Sequence, residues 1–308
     1  MGNNVLITGG AGFLGSSIVR EFLLRNSRVI VYDNFYSGSR KFLPKNDNLS
    51  IFNGDIRSRA QIKRCLNKYF PSIVIHLAAI PFIPYCDANI KEVLDVNVSG
   101  TQAILEECCK MKNLPKFLLA STAAVYKPSL KPHSETDTLM PIEIYGISKL
   151  SSEFCIKIYN KQFGIPYNIL RIFNAVGPRT TNPYLIPAIL RQLKVNPKEI
   201  RIGNVTPIRD YIYADDVATA FYKVASLDNR KPEIFNISTG RSFSVNDIIK
   251  IIKKLSKKDF TVKTTEKRKR AVDRPIMVGN NHKLKKYNWE PVHSIQETIK
   301  LTMSYYGL

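Results

Sequence analysis

The segment Thr8-Gly9-Gly10-Ala11-Gly12-Phe13-Leu14-Gly15 follows the apolar run Val5-Leu6-Ile7 directly. Gly9, Gly12 and Gly15 fall at every third position, which permits a tight strand-to-helix turn. Backbone N–H groups at the start of the helix can then meet a pyrophosphate closely. Such a turn fixes the first three elements as strand, loop and helix, and the rest of the first half keeps that rhythm. Val29-Ile30-Val31, Leu49 to Phe52, Ile73-Val74-Ile75, Phe117-Leu118-Leu119 and Asn168 to Ile172 read as strands. They are continuous rather than alternating, as strands covered on both faces are. Helical stretches are expected near 16–25, 59–69, 93–112 and 144–162. The alternation predicts an α/β fold with a doubly wound parallel sheet. The rhythm fades after Gly177, where Pro178, Pro183, Pro187 and Pro197 predict irregular connections. The tail shows one helical stretch, 245–255, and a basic segment, 261–286. A smaller C-terminal part packed on the sheet domain is expected.

The second run ends in Tyr32-Asp33-Asn34, about 20 residues beyond the loop. A carboxylate there accepts hydrogen bonds from both hydroxyls of an adenosine ribose and repels a 2′-phosphate. Asp33 therefore points to NAD rather than NADP. Gly54-Asp55-Ile56 follows the third run and is placed against the adenine. His76-Leu77-Ala78-Ala79 ends the fourth with small residues, so that backbone can approach the cofactor. His76 reads as a packed strand residue and is given no chemistry.

Tyr145-Gly146-Ile147-Ser148-Lys149 is the only Y-x-x-x-K in the chain and opens the helical stretch after the fifth strand. Residues i and i+4 share one helix face. An ammonium beside a phenol favours the phenolate, which suits Tyr145 to act as a general base on a sugar hydroxyl and as an acid in reverse. Ser121-Thr122 ends the fifth strand, and either hydroxyl can bond the same substrate oxygen. On chemistry alone the two are equal candidates.

The chain carries 46 Lys+Arg against 25 Asp+Glu, a net charge of +21. That excess suits an anionic partner, whether nucleic acid, membrane surface or small molecule. No aromatic interleaving accompanies the basic stretch, so nucleic acid is not expected. Five cysteines, none in C-x-x-C spacing, suggest reduced thiols, a cytoplasmic protein and no zinc. The longest apolar run, Ser72 to Cys86, is broken by Pro81 and Pro84 and falls short of a membrane span.

The ordered motifs resemble the extended short-chain dehydrogenase/reductase family, the nucleotide-sugar epimerases and dehydratases. The likeness rests on T-G-G-A-G-F-L-G at Thr8, G-D-I-R at Gly54, H-L-A-A at His76, N-V-S-G-T at Asn97, Y-G-I-S-K at Tyr145, R-I-F-N at Arg171 and R-D-Y-I at Arg209. It covers nearly the whole chain. It implies a Rossmann domain holding NAD, residues 1–174 with 206–237 returning to it. It also implies a smaller α/β substrate domain, 175–205 and 238–308, holding a nucleoside-diphosphate sugar, with UDP favoured and GDP open. The family pattern selects Thr122 over Ser121 and places Asn97 at the nicotinamide side. Asn174, Tyr184 and Leu185 match substrate-contacting positions. Arg209 and Arg270 match two arginines that clamp phosphates, a task suited to bidentate guanidinium. The resemblance further implies a homodimer built on the helices near 93–112 and 144–162.

Two departures bear on the reaction. The family's 4,6-dehydratases commonly carry Asp-Glu after the threonine, and this chain has Ala123-Ala124. Methyl groups transfer no protons, which leaves oxidation at C4 followed by return of the hydride: a 4-epimerase. A 4-dehydrogenase or 4-keto reductase acting on a GDP- or dTDP-sugar uses the same residues. The stretch 270–283 has a slight likeness to GDP-sugar reductases. A non-enzymatic scaffold binding nucleic acid is the third reading, and the intact Thr122, Tyr145 and Lys149 set argues against it. The second departure is Lys127, where glycine usually follows Val-Tyr.

Overall fold

The computed structural model describes residues 4–228, 231–265 and 274–308. It divides into two compact units. The first comprises Met1–Lys127, Thr138–Ile172 and Ala218–Phe235; the second comprises Pro128–Asp137, Phe173–Val217 and Asn236–Leu308.

The first unit is built on six parallel strands: β1 (Asn4–Thr8), β2 (Arg28–Asp33), β3 (Leu49–Asn53), β4 (Ile73–His76), β5 (Lys116–Thr122) and β6 (Tyr167–Ile172). Their spatial order is β6-β5-β4-β1-β2-β3, and the strand Glu233–Ile237 lies beyond β6. The helices are α1 (Phe13–Leu24), α2 (Arg59–Tyr69), α3 (Ile83–Ala88), α4 (Ile90–Leu94), α5 (Gly100–Cys109) and α6 (Ile144–Phe163). Leu6, Ile30, Val74, Phe117, Leu119 and Ile169 of the sheet pack with Ile62, Leu66, Ile104 and Ile156 of α2, α5 and α6 in one buried cluster. Burial on both faces explains the unbroken apolar runs. The strand order reverses between the parallel neighbours β1 and β4, which pair from Val5↔Ile73 to Thr8↔His76. A crevice therefore opens beyond the carboxyl ends of these two strands, the place where open α/β sheets bind ligands.

The single helix expected at 93–112 is instead α4 and α5 joined by a π-helical turn, Asp95–Ser99. Such turns concentrate at functional sites. The long α6 ends at Gly164, whose φ of 75° supplies the left-handed cap.

The second unit has its own apolar core, which includes Ile186, Ile189, Leu190, Ile200, Ile248, Ile252, Ile299 and Met303. Its longer helices are Leu185–Val195, Val245–Ser256 and Ile295–Tyr306. Residues 206–217, expected to return with the sheet, belong here. The strand Ile208–Arg209 pairs with Phe243–Ser244 and Ile276–Met277, and Tyr211–Tyr213 pairs with Asn174–Val176. Residues 128–137 also join this unit, because His133 bridges to Gly279. Among the described residues, no helix is long and apolar enough to cross a membrane.

Candidate active site

The glycine loop is held closed by its own geometry. Gly9 has φ +69°, and a Cβ there would stand 2.8 Å from the Ala78 backbone nitrogen. A Cβ on Gly15 would fall 2.1 Å from the Gly9 carbonyl oxygen. The loop after β1 thus lies against the loop after β4. No side chain caps the N terminus of α1, and its first turn holds no acidic residue. The N–H groups of that turn, where Phe13, Leu14 and Gly15 lie, form the positive end of the helix dipole. Gly9→Ala is expected to lose copurifying cofactor and to cost about 1–3 kcal/mol in stability, from forced φ and backbone overlap. Absorbance of the purified protein and its denaturant midpoint check this.

Asp33 is 8% exposed. Its Oδ2 accepts from Ala11 N at 2.9 Å and its Oδ1 from Phe35 N at 2.8 Å. Burial pushes its carboxyl above the ordinary range, against the pull of those two N–H donors. The side chain therefore ties the glycine loop to the end of β2 while keeping lone pairs for a diol. Asp55, expected at the adenine, is held by its neighbours at the end of β3. It accepts from the Arg57 guanidinium at 2.9 and 2.7 Å and from Asn34 Nδ2 at 3.1 Å. The Arg57 contact holds its carboxyl well below the carboxylate range. Ile56, expected beside the adenine, is 5% exposed and sits in the core, where Gly100 of α5 approaches it.

Asn97, expected to line the nicotinamide side, is 1% exposed and turned onto the protein. Its Oδ1 accepts from Ile80 N at 2.7 Å, and its Nδ2 donates to Ile80 O at 3.1 Å and to Ser148 Oγ at 2.9 Å. Ser148 Oγ in turn donates to the Tyr145 carbonyl at 2.8 Å. The π-helical turn thus offers Asn97 as a clamp between the loop after β4 and the start of α6. Beneath it, His76 Nδ1 lies 2.8 Å from Thr8 Oγ1, and Nε2 lies 2.9 Å from Thr101 Oγ1. Thr101 donates its own proton to Asn97 O at 2.6 Å, so it accepts from Nε2–H, and Nδ1 accepts from Thr8. Burial, aided by Lys149, lowers the His76 pKa to about 3. The imidazole is a neutral scaffold element. Leu77 and Ala78 hang from the same strand pair, their N–H groups bonded to Thr8 O and Thr8 Oγ1; Ala79 follows, half-buried.

The end of β5 separates the two hydroxyl candidates by strand alternation. Ser121 is 2% exposed and donates to Glu153 Oε1 at 2.6 Å. Thr122 is half-buried, and its Oγ1 accepts from Ala124 N at 3.2 Å, capping the 3₁₀ turn Ala123–Val125. That bond uses an Oγ1 lone pair and leaves the Thr122 hydroxyl proton to donate. A Cβ on Gly146 would lie 2.6 Å from Ala124 O, so the residue after Tyr145 touches the turn after Thr122. Tyr145 is the second residue of α6 and half-buried. Lys149 lies one turn further and is 2% exposed. Burial brings its pKa down to about 8, while Glu153 pulls it back up. Lys149 therefore still carries its charge at neutral pH. Sequence reasoning gave Glu153 no role, although it stands four residues beyond Lys149 on the same helix stripe.

The remaining expected residues lie in the second unit. Asn174 bonds Asp210 O through its backbone N at 3.1 Å and through Nδ2 at 3.0 Å. Tyr184 is the N-cap of the helix that begins with Leu185. Arg209 is 9% exposed and donates to Ile208 O at 2.9 Å and Arg274 O at 2.8 Å. Asp210, unassigned from sequence, accepts from Thr239 N, Thr239 Oγ1 and Gly240 N and organises these loops. Arg270 lies outside the described residues.

A crevice of this kind, with a tyrosine and lysine at its helix edge, defines a dinucleotide-dependent oxidoreductase fold. Residues 5–238 match the NAD dependent epimerase/dehydratase family, and the chain belongs to that family. The UDP-glucuronate 4-epimerase of Thermodesulfobacterium geofontis is 31% identical, over 97% of this chain and 95% of that protein. The UDP-glucose 4-epimerase of Thermotoga maritima, solved with UDP-glucose, is 32% identical with a TM-score of 0.90 over 99% of this chain and 98% of that one. The UDP-glucose 4-epimerase of Thermus thermophilus, solved with NAD, is 29% identical with a TM-score of 0.89 over 99% of both chains. The glycine cradle that a Cβ would fill, the uncapped helix and the buried Asp33 fit the NAD on which the family depends.

Proposed function

We propose that this chain is an NAD-dependent 4-epimerase of a UDP-hexose. The observation that carries the reading is Tyr145 and Lys149 on one face of α6, with the Thr122 strand end in contact beside them. Bound NAD supplies a reversible hydride acceptor for C4. Gly9, Gly12, Phe13, Leu14 and Gly15 hold its pyrophosphate, and Asp33 holds its adenosine ribose. Tyr145 takes the proton from the C4 hydroxyl and later returns it. Lys149 keeps the phenolate favoured through its charge. Thr122 donates to the C4 oxygen as its charge changes. Asn174, Tyr184, Leu185, Arg209 and Arg270 are assigned to the nucleotide diphosphate and sugar. Ala123 and Ala124 are 1% and 3% exposed and offer no acid or base for elimination, which favours epimerisation over 4,6-dehydration.

Incubation of the purified protein with UDP-glucose, UDP-galactose, their N-acetyl forms and UDP-glucuronate tests the reading. Interconversion of at least one pair without added NAD is expected. No conversion of any overturns it.

A homodimer is part of the same proposal. Leu94 on α4 and Ile147, Phe154 and Ile158 on α6 are 36–52% exposed, an apolar face on the helices the family uses for pairing. Phe154→Glu with Ile158→Glu is expected to halve the mass seen by light scattering while leaving cofactor content unchanged.

A further inference from the structure

Tyr36, Tyr85 and Glu92 form a chain of side chains that no step of the chemistry uses. Tyr85 Oη donates to Glu92 Oε2 at 2.6 Å, and Tyr36 Oη stands 3.4 Å from Tyr85 Oη. A carboxylate only accepts, so the Tyr85 proton goes to Glu92 and the Tyr85 oxygen accepts from Tyr36. The members come from two sides of the crevice. Tyr36 lies in the loop after β2, while Tyr85 on α3 and Glu92 on α4 both follow β4. β1 pairs with β2 on one side and with β4 on the other. The segments after β2 and β4 therefore flank the glycine loop that follows β1, and the two phenols meet across it. The loop after β2 is anchored on both sides of its tyrosine. Before it, Asp33 Oδ2 accepts from Ala11 N, and Asp33 Oδ1 holds Phe35 N at 2.8 Å. Phe35 takes φ 60°, a conformation that persists in a residue with a side chain only where its surroundings impose it. Asn34 Oδ1 accepts from Tyr36 N at 3.1 Å. After it, a Cβ on Gly38 would stand 2.9 Å from the Ala11 carbonyl, and Ser39 N donates to Ala11 O at 2.9 Å. The Tyr36 side chain is 70% exposed, so burial does not explain its position; its hydroxyl contact does.

We propose that Tyr36, Tyr85 and Glu92 form a clasp across the mouth of the crevice, which has to open for the dinucleotide to enter or leave and so sets the rate of cofactor exchange. The inference rests on the NAD dependence of the family and deepens the proposed function. A 4-epimerase gives back the hydride it has taken, so reduced cofactor that escapes in mid-cycle strands a 4-keto sugar. A dehydrogenase has to exchange its cofactor at every turnover. A clasp made of bonds between protein groups suits the first reaction and slows the second.

The test uses the full chain and NADH, whose fluorescence reports binding. Entry is followed by stopped flow into cofactor-free protein, and release by displacement with excess NAD. Tyr36→Phe and Tyr85→Phe each delete the contact between the phenols and keep both rings. Each is expected to raise the entry and release rate constants together by about tenfold, the scale of one hydrogen bond. A contact between protein groups bars passage in both directions, so Kd is expected to stay within about threefold of wild type. The double variant is expected to exchange no faster than Tyr85→Phe, because both changes break one chain. Unchanged rates in the single variants overturn the inference. So does a rise in release alone, which makes the phenols ordinary cofactor contacts, and so does a rise of about a hundredfold in the double variant, which makes them independent. Should Tyr85→Phe fail to fold, Tyr36→Phe at its exposed position decides by the same two rate constants. No UDP-sugar enters the measurement. Absence of turnover in the wild type therefore overturns the proposed function and leaves the exchange rates to decide the clasp.

Discussion

Tyr145→Phe is expected to lower kcat for UDP-sugar interconversion by about 10³-fold, within the range that a positioned acid–base group supplies. The change removes one oxygen and leaves the ring. α6 begins at Ile144 and is held to the loop after β4 through Ser148 and Asn97, neither of which needs the phenol. NAD content, melting temperature and KM are therefore expected to stay near wild type. Turnover surviving in Tyr145→Phe would remove Tyr145 from the mechanism.

Lys149→Met is expected to abolish turnover, by at least about 10²-fold, while making the cofactor-free protein more stable. The lysine is buried, and burial lowers its pKa from 10.5 to about 8, against the pull of Glu153. At 1.36 kcal/mol per unit this is a penalty of about 3 kcal/mol on the folded state. The pH dependence follows from the direction of the shift. Below about pH 8 the lysine is charged in both folded and unfolded chains, so the folded state bears the full penalty. Between about 8 and 10.5 the folded state releases its proton while the unfolded chain keeps it, and the penalty shrinks. The stability advantage of Lys149→Met is therefore expected to be largest at pH 7 and to narrow by pH 10. A melting temperature below wild type across that range would show that the ammonium stabilises the fold.

The first unit was legible because its signals are local. Continuous apolar strands, a glycine loop at residue 9 and an acidic residue ending β2 each follow from neighbours in sequence. The helix Leu185–Val195 was not expected, because Pro187 was read as a breaker. Pro187 sits in the first turn, where its missing N–H costs nothing. The helix Ile295–Tyr306 carried a readable sign, the capping box Ser294 with Glu297. The π-helical turn was not legible, since its register is set by the contacts of Asn97 with Ile80 and Ser148, both distant in sequence. Ser121 and Thr122 could not be separated by chemistry, and the alternation of β5 sends one to Glu153 and the other to the turn. The net charge of +21 named no partner, because most of its lysines belong to no motif.

The neutral imidazole of His76 has a consequence for how the protein responds to its surroundings. Histidine is the side chain most suited to sense small changes around neutrality. Here the one beneath the crevice is locked between two threonine hydroxyls and does not take a proton until about pH 3. The floor is electrically silent across the whole physiological span. Acid–base behaviour beside the crevice is thereby delegated to α6, where the Lys149 pKa of about 8 leaves one group, and not the floor, to respond to a rise in pH.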